Sequence, residues 1–145
     1  MPIAFFAWAV AALLAQQPAS SSNTSPSLDF ELFKTRVQPV FLAKREGHAR
    51  CYACHSQGTT MRLQPLSPGS TTWNEEESRK NFEAVRGKVV PGEPLKSMLL
   101  VHPLALEAGG DLYHNGGKHW NSKDDAEWQM LARWVRGQTA SSSAR

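Results

Sequence analysis

Five consecutive residues, Cys51-Tyr52-Ala53-Cys54-His55, have a spacing that suits one particular chemistry. Two thiols three positions apart can each add across one vinyl group of a single porphyrin, sulfur to one carbon and hydrogen to the other, which leaves two thioether bonds. The histidine that follows is then held beneath the ring, where its imidazole can bind the iron. The C-x-x-C-H pattern therefore predicts covalent attachment of one haem c through Cys51 and Cys54, with His55 as the proximal iron ligand.

Two other uses of a C-x-x-C pair suit this chain less well. A redox-active dithiol is expected within a βαβ pattern, which the sequence lacks. A structural zinc site needs four ligands, usually two pairs of Cys or His, and the chain has no cysteine besides Cys51 and Cys54. The haem interpretation is therefore preferred.

The second axial position of the iron decides whether other molecules can reach the metal. Candidate ligands outside the motif are Met61, Met98, His102, His114, His119 and Met130. Met61 follows the proximal histidine too closely to reach the opposite face, and Met130 has the setting of a core residue. His119 is the best candidate, because the glycine-rich stretch before the last helix lets the backbone present a side chain to that face. The alternatives are His114, His102 and Met98, or an open position.

The size and composition of the chain limit what surrounds this motif. Its 145 residues suffice for one domain with a core large enough to cover a haem, and five tryptophans supply apolar cover. The formal charge of +3 is mild, and two haem propionates would bring it closer to neutral, which argues against a nucleic-acid-binding protein. Both cysteines belong to the motif, so none remains for a disulfide.

The N-terminal residues predict export from the cytoplasm. Residues 3–15 form an uncharged apolar stretch, so residues 1–15 are interpreted as a signal peptide or a membrane anchor. A helix of this length reaches about 20 Å, less than the roughly 30 Å of a bilayer core, and no good cleavage site is present, so cleavage and retention both stay open. Because haem c is attached outside the cytoplasm, we expect a periplasmic protein that is soluble or anchored by its N-terminus.

The rest of the chain has the pattern of a helical domain. Residues 16–27 are rich in Ser, Pro and Gln and predict a flexible linker, residues 28–138 form the predicted domain, and residues 139–145 a disordered tail. The fold class predicted for the domain is all-α, since its apolar residues recur at helical spacing and no alternating strand pattern competes with them.

Capping signals and prolines predict where the helices begin and break. The first helix should follow an N-cap at Ser27 and be interrupted at Pro39. A second should follow Asn74, a short one should open at Pro94, and the last should follow Ser122. The last helix has the clearest apolar face, with residues at i, i+3, i+4 and i+7: Trp128, Leu131, Ala132 and Val135.

From Asp29 to Gly137 the chain resembles the single-haem cytochrome c domains of acidobacterial and planctomycete proteins. The matching features are Val37-Gln38-Pro39-Val40-Phe41, the haem motif, Val90-Pro91-Gly92-Glu93-Pro94, Lys96-Ser97 and the final helix. The resemblance implies a class I-like cytochrome c, three to five helices around one covalent haem c. Relatives often carry Met-Pro-Pro before the last helix, with the methionine as distal ligand. Here that stretch is Gly116-Gly117-Lys118-His119-Trp120, which favours a His55/His119 iron of lower potential.

These features predict a one-electron carrier, not an enzyme. Its expected partners are a membrane oxidase, a quinol-oxidising complex or a photosynthetic reaction centre, and an uncleaved N-terminus would make it a tethered subunit. One alternative is a haem enzyme or gas sensor with an open or displaceable sixth position, in which His114 or His119 acts as a distal acid–base group. Another is an accessory subunit whose haem only bridges two others.

Overall fold

The computed structural model describes residue 1 and residues 25–142. Within these residues the chain is helical and contains no β-strand, which confirms the predicted all-α class at the level of secondary structure. Five α-helices, labelled α1 to α5 in chain order, span Phe30–Leu32, Cys51–His55, Glu75–Arg86, Met98–Val101 and Ala126–Val135. Shorter turns of π- or 3₁₀-helix occupy Phe33–Val37, Gln38–Phe41, Pro94–Lys96 and Leu106–Ala108.

The first helical stretch changes its winding around Pro39. It begins after Asp29, whose carboxylate accepts a hydrogen bond from the backbone N–H of Leu32 at 2.6 Å. The predicted N-cap at Ser27 is therefore wrong. Helix α1 continues into a π-helical turn and then a 3₁₀ turn that contains Pro39. Proline has no N–H and its ring crowds the preceding turn, so the α-helical hydrogen bonds cannot continue, which confirms the predicted interruption.

The core joins this first stretch to the C-terminal helix. Phe33 packs against Trp134 with ring centroids 5.5 Å apart, and both side chains are fully buried. The indole N–H of Trp134 donates to the carbonyl of Asp29 at 2.9 Å, and that of Trp128 donates to the carbonyl of Leu100 at 3.2 Å. Each large ring thus buries its apolar area while its one polar atom is paired. The predicted apolar face of the last helix is confirmed by the burial of Trp128, Leu131, Ala132 and Val135.

Helix α5 begins later than predicted. Its N-cap is Asp125, whose carboxylate accepts a hydrogen bond from the backbone N–H of Glu127 at 3.0 Å. Ser122, the predicted N-cap, instead accepts from the N–H of Asp124 at 3.1 Å through its hydroxyl and lies in the preceding turn. After the helix, Gly137 has φ of +89°, a conformation that glycine adopts without strain.

Helix α3 confirms the predicted N-cap at Asn74. The side chain of Asn74 accepts from the N–H of Glu77 and the carboxylate of Glu77 accepts from the N–H of Asn74, both at 2.9 Å, which forms a capping box. On the buried face, the amide of Asn81 donates to Gln38 at 3.4 Å and its oxygen accepts from the N–H of Gln64 at 2.7 Å. Helix α3 therefore ties the first helical stretch to the loop after α2.

Several predicted segments fall largely outside the described residues. Almost all of the predicted signal peptide or anchor at residues 1–15 lies there, together with most of the linker at residues 16–27 and the end of the tail at residues 139–145. In the described part of the tail, the N–H of Ser142 donates to the carbonyl of Thr139 at 3.2 Å and closes a turn. Among the described helices, none has both the length and the apolar character needed to cross a bilayer.

Candidate functional site

Helix α2 carries the three motif residues on little more than one turn. Because residues three and four positions apart are neighbours on a helix, Cys51 lies on the same side as Cys54 and His55. Both cysteines are free thiols, and Cys54 is exposed while Cys51 is half-buried. Helical geometry alone therefore brings together the residues that the sequence predicted as a haem attachment site.

A cleft opens beside α2, and we call it the central cleft. Its empty space is about 630 Å³ with open solvent included. Its apolar lining includes Val40, Phe41, Met61, Leu99, Pro103 and Trp120. Its polar lining includes Cys51, His55, His102, His114 and His119. A second recess, of about 390 Å³, borders several of the same side chains and also reaches Cys54, and its volume lies within the roughly 300–1,000 Å³ typical of ligand sites.

His55 is held by the loop that follows it. Its Nδ1 lies 2.9 Å from the carbonyl oxygen of Met61 and 2.8 Å from the hydroxyl of Thr59, and that hydroxyl also donates to the Met61 carbonyl at 2.9 Å. A ring nitrogen facing a carbonyl carries the proton, so Nε2 keeps its lone pair for a metal. Burial of the ring lowers the pKa of His55, which also favours the neutral imidazole.

Cys51 lies beside an ion pair that the sequence analysis did not identify. Arg45 contacts Glu127 of α5 through two nitrogens, one of them at 3.0 Å, and its Nη1 lies 3.9 Å from the sulfur of Cys51. Glu127 also accepts from the indole N–H of Trp120 at 3.2 Å. Burial raises the pKa of the Cys51 thiol, and the Arg45 guanidinium acts in the opposite direction.

The wall opposite α2 is formed by a loop, residues 109–120. Its C-terminal end is fixed to the chain after α4, because the N–H groups of His119 and Trp120 both donate to the carbonyl of Pro103, at 2.7 and 3.1 Å. The N–H of Ala105 donates back to Trp120 at 2.8 Å. The end of this loop therefore has a defined position relative to the central cleft.

His114 and His119 both reach the central cleft from this loop. The ring of His114 lies 6.4 Å from that of His55 between centroids, with an angle of 14° between the planes. The His114 and His119 centroids are 5.4 Å apart, and His48 lies 5.5 Å from His119 on the far side. The structure therefore brings the predicted distal ligand His119 and its alternative His114 to the same cleft as the predicted proximal ligand.

The Nδ1 atom of His119 is buried and has no hydrogen-bond partner among the described residues. Burial lowers the pKa of His119 to about 4, and the positive charge of Arg45 contributes in the same direction. His119 is therefore a neutral imidazole at physiological pH, and a buried polar atom without a partner calls for an explanation.

The two remaining alternatives border the central cleft but differ in their surroundings. The Nδ1 of His102 lies 2.7 Å from the carboxylate of Asp111, and burial of both groups is incomplete. Met98 is 52% exposed at the start of α4. Met61 is buried in the cleft wall, whereas Met130 is partly buried against the core, which agrees with the packing roles predicted for them.

Four side chains of this site were missed by the sequence analysis: Arg45, Thr59, Asp111 and Glu127. Thr59 stands four positions after His55, and this short spacing is the one signal in the sequence for a hydroxyl beside the His55 ring. Arg45 and Glu127 are 82 positions apart, so no local pattern joins them. In residues 25–142, no group of three or more His, Cys, Asp or Glu side chains is arranged to hold a metal ion.

Comparisons with protein-family models, with curated proteins and with solved structures find no match for this chain.

Proposed function

We propose that this chain is a c-type cytochrome domain that transfers single electrons between redox partners. A haem c bound in the central cleft would supply an iron that accepts and releases one electron. The observation that supports this proposal best is the arrangement on α2. Two thiols and one histidine share a turn of helix at the edge of the recess that adjoins the central cleft, and the Nδ1 of that histidine already faces a carbonyl.

The residues present suit such a group. The central cleft has an apolar wall against which a flat macrocycle can pack, and the adjoining recess of about 390 Å³ lies in the range of ligand sites. Two further imidazoles, those of His114 and His119, face the cleft from the opposite loop. The buried Nδ1 of His119, which lacks a hydrogen-bond partner among the described residues, is the kind of polar atom that a ligand or its water would satisfy.

Each residue has a defined part in this proposal. The thiols of Cys51 and Cys54 would hold the haem through two thioethers, formed by addition to its two vinyl groups, and His55 would bind the iron through Nε2. The loop of residues 109–120 would supply a second imidazole to the iron. Val40 and Phe41 keep water from the covered part of the cleft.

A filled distal position favours a carrier over a haem enzyme or gas sensor, because nothing else could then bind at the metal. The alternative is a haem enzyme or gas sensor with an open position at the metal, where His114 or His119 would act as an acid–base group. The proposed location is the periplasmic side of the cytoplasmic membrane. The proposed partners are membrane complexes that handle single electrons: an oxidase, a quinol-oxidising complex or a photosynthetic reaction centre.

Covalent haem content tests the proposal. The full chain would be produced in a bacterium that attaches haem c in its periplasm, next to Cys51→Ser/Cys54→Ser and, as a control, Gln57→Ala at an exposed position just past α2. We expect haem to survive denaturing electrophoresis in the wild type and the control and to be absent from the double variant. A wild type without covalent haem, or a double variant that keeps it, would contradict the proposal.

A further inference from the structure

We infer that His114, rather than His119, is the distal ligand of the haem iron. The inference rests on the proposed function, because it names the second ligand of that same site. It comes from three features of the loop: the hydrogen bond at each ring, the distance to His55, and a glycine against the His114 ring.

The hydrogen bonds of His114 mirror those of His55. Its Nδ1 lies 2.5 Å from the carbonyl oxygen of Gly117, while the Nδ1 of His55 lies 2.9 Å from the carbonyl of Met61. Histidines that bind metals almost always use their second ring nitrogen in this way, which sets the tautomer and the orientation of the ring. In both residues Nε2 is therefore the nitrogen left for a metal.

The separation of the two rings suits one shared metal. A bound imidazole nitrogen lies about 2 Å from its metal and the ring centre about 1 Å further away, so two rings on opposite sides have centres roughly 6 Å apart. The His55 and His114 centroids are 6.4 Å apart and the rings form a stacked pair, 14° from parallel, so it is the separation of the ring centres that supports this pairing.

The other histidines of the central cleft meet these conditions less fully. His119 has its backbone fixed to Pro103, but its Nδ1 has no partner among the described residues to orient the ring. His102 has the Asp111 carboxylate at its Nδ1, yet its ring lies against Tyr113, with centroids 6.2 Å apart.

The backbone of Gly116 lies close to the His114 ring. A Cβ added to Gly116 would lie 3.0 Å from Cε1 and 3.4 Å from Nε2 of His114, which is tighter than an ordinary contact. The N–H of Gly117 also donates to the carbonyl of His114 at 2.9 Å and closes the turn. The loop thus holds the ring by a turn, a carbonyl and the missing side chain of a glycine.

Spectra of matched variants test the inference. Oxidised holoprotein would be examined by absorption and low-temperature EPR for the wild type, His114→Ala, His119→Ala and Gly116→Ala, with Lys118→Ala as a control in the same loop. We expect His114→Ala to convert most of the low-spin signal to high-spin and added imidazole to restore it. His119→Ala and Lys118→Ala should stay low-spin. Gly116→Ala should shift the low-spin signal, because the new methyl group crowds the ligand ring.

Four results would overturn the inference. High-spin iron in His119→Ala together with low-spin iron in His114→Ala would assign the bond to His119. A thioether charge-transfer band in the wild type would assign it to a methionine, and high-spin iron in the wild type would mean an open position. In these three cases the covalent haem would stand, but an open position would favour the haem enzyme or gas sensor over the electron carrier. A wild type without covalent haem would remove the proposed function and the inference together.

Discussion

The two walls of the central cleft are built in different ways. On one side, α2 places Cys51, Cys54 and His55 by helical periodicity, and the turn after it closes on the ring of His55. On the other side, a glycine-rich loop presents His114 and His119, and their positions depend on turns and on contacts with distant residues. Chemistry on a regular element can be inferred from residue spacing, whereas chemistry on a loop depends on what fixes the loop.

One ion pair connects the two walls. Arg45 lies between Cys51 and Glu127, and Glu127 also accepts a hydrogen bond from Trp120, the residue after His119. The side chain of Arg45 is 13% exposed and that of Glu127 35% exposed, so the pair is largely withdrawn from solvent. The distance across the cleft therefore depends on a contact between residues that are far apart in sequence.

Arg45→Gln is the substitution expected to disturb both walls most. It leaves Glu127 partly buried without its partner, so we expect the free energy of unfolding to fall by about 1–3 kcal/mol, between the values for exposed and for buried pairs. Denaturant titration measures the loss. Hydrogen exchange should become faster in residues 112–120 as well as near α2.

A matched control for this change is Lys80→Gln. Lys80 pairs with Glu76 on the exposed face of α3, and an ion pair so open to solvent contributes little to stability. If both substitutions cost the same, the Arg45–Glu127 contact would not be what joins the walls.

On the loop side of the central cleft, His119 should make stability depend on pH. Burial and the nearby positive charge of Arg45 lower the pKa of His119 from its ordinary value of 6.5 to about 4 in the folded protein. As the pH falls from 6.5 to about 4, the unfolded chain takes up a proton that the folded protein does not, so stability falls with pH across this window and is fully present above it. Glu127 opposes the shift, while His48 and His114 add to it.

Denaturant titrations of the holoprotein at several pH values, for the wild type and His119→Asn, would measure this. The wild type should lose more stability than the variant between pH 6.5 and about 4. His55, which is proposed to bind the iron, is the same in both proteins and cancels in the difference. Parallel curves would mean that His119 does not titrate freely, as expected if it binds the iron.

The sequence allowed the helical class, and the grouping of Cys51, Cys54 and His55 on the α2 wall of the central cleft, to be predicted. The spacing of Cys51, Cys54 and His55 is a local pattern, and local patterns survive folding because a helix imposes them. The same holds for the cap at Asn74 and for the buried face of α5, where one strong signal stands without a competitor.

Elsewhere several local signals compete and tertiary contacts decide between them. Ser122 and Asp125 can both cap a helix, and the structure uses Asp125. The first helix is capped by Asp29 rather than by Ser27. The indole N–H of Trp134, 105 positions away, donates to the carbonyl of Asp29. Contacts at such distances have no signature in a single sequence, so the ranking of the loop histidines could not be settled there.

The smallest predicted effect tests whether the α2 wall of the central cleft keeps its position when one hydrogen bond is lost. Thr59→Val removes the hydroxyl beside Nδ1 of His55, but the Met61 carbonyl at 2.9 Å remains as acceptor. Because Thr59 is exposed and one bond persists, we expect the free energy of unfolding to fall by about 1 kcal/mol or less. The EPR spectrum of the proposed haem protein should not change, since His55 keeps its acceptor. On the loop wall, Asp111 alone accepts from both His102 and the N–H of Tyr113, at 2.7 and 2.9 Å.

Asp111→Asn is the matched change on that side. An amide can present one oxygen where the carboxylate presents two, so one of the two donors loses its acceptor. Hydrogen exchange should therefore become faster in residues 111–119 of Asp111→Asn, whereas residues 55–63 of Thr59→Val should exchange as in the wild type. Equal increases in both segments would mean that the two walls are fixed equally firmly. In that case the difference between them would lie only in how easily their chemistry can be inferred from residue spacing.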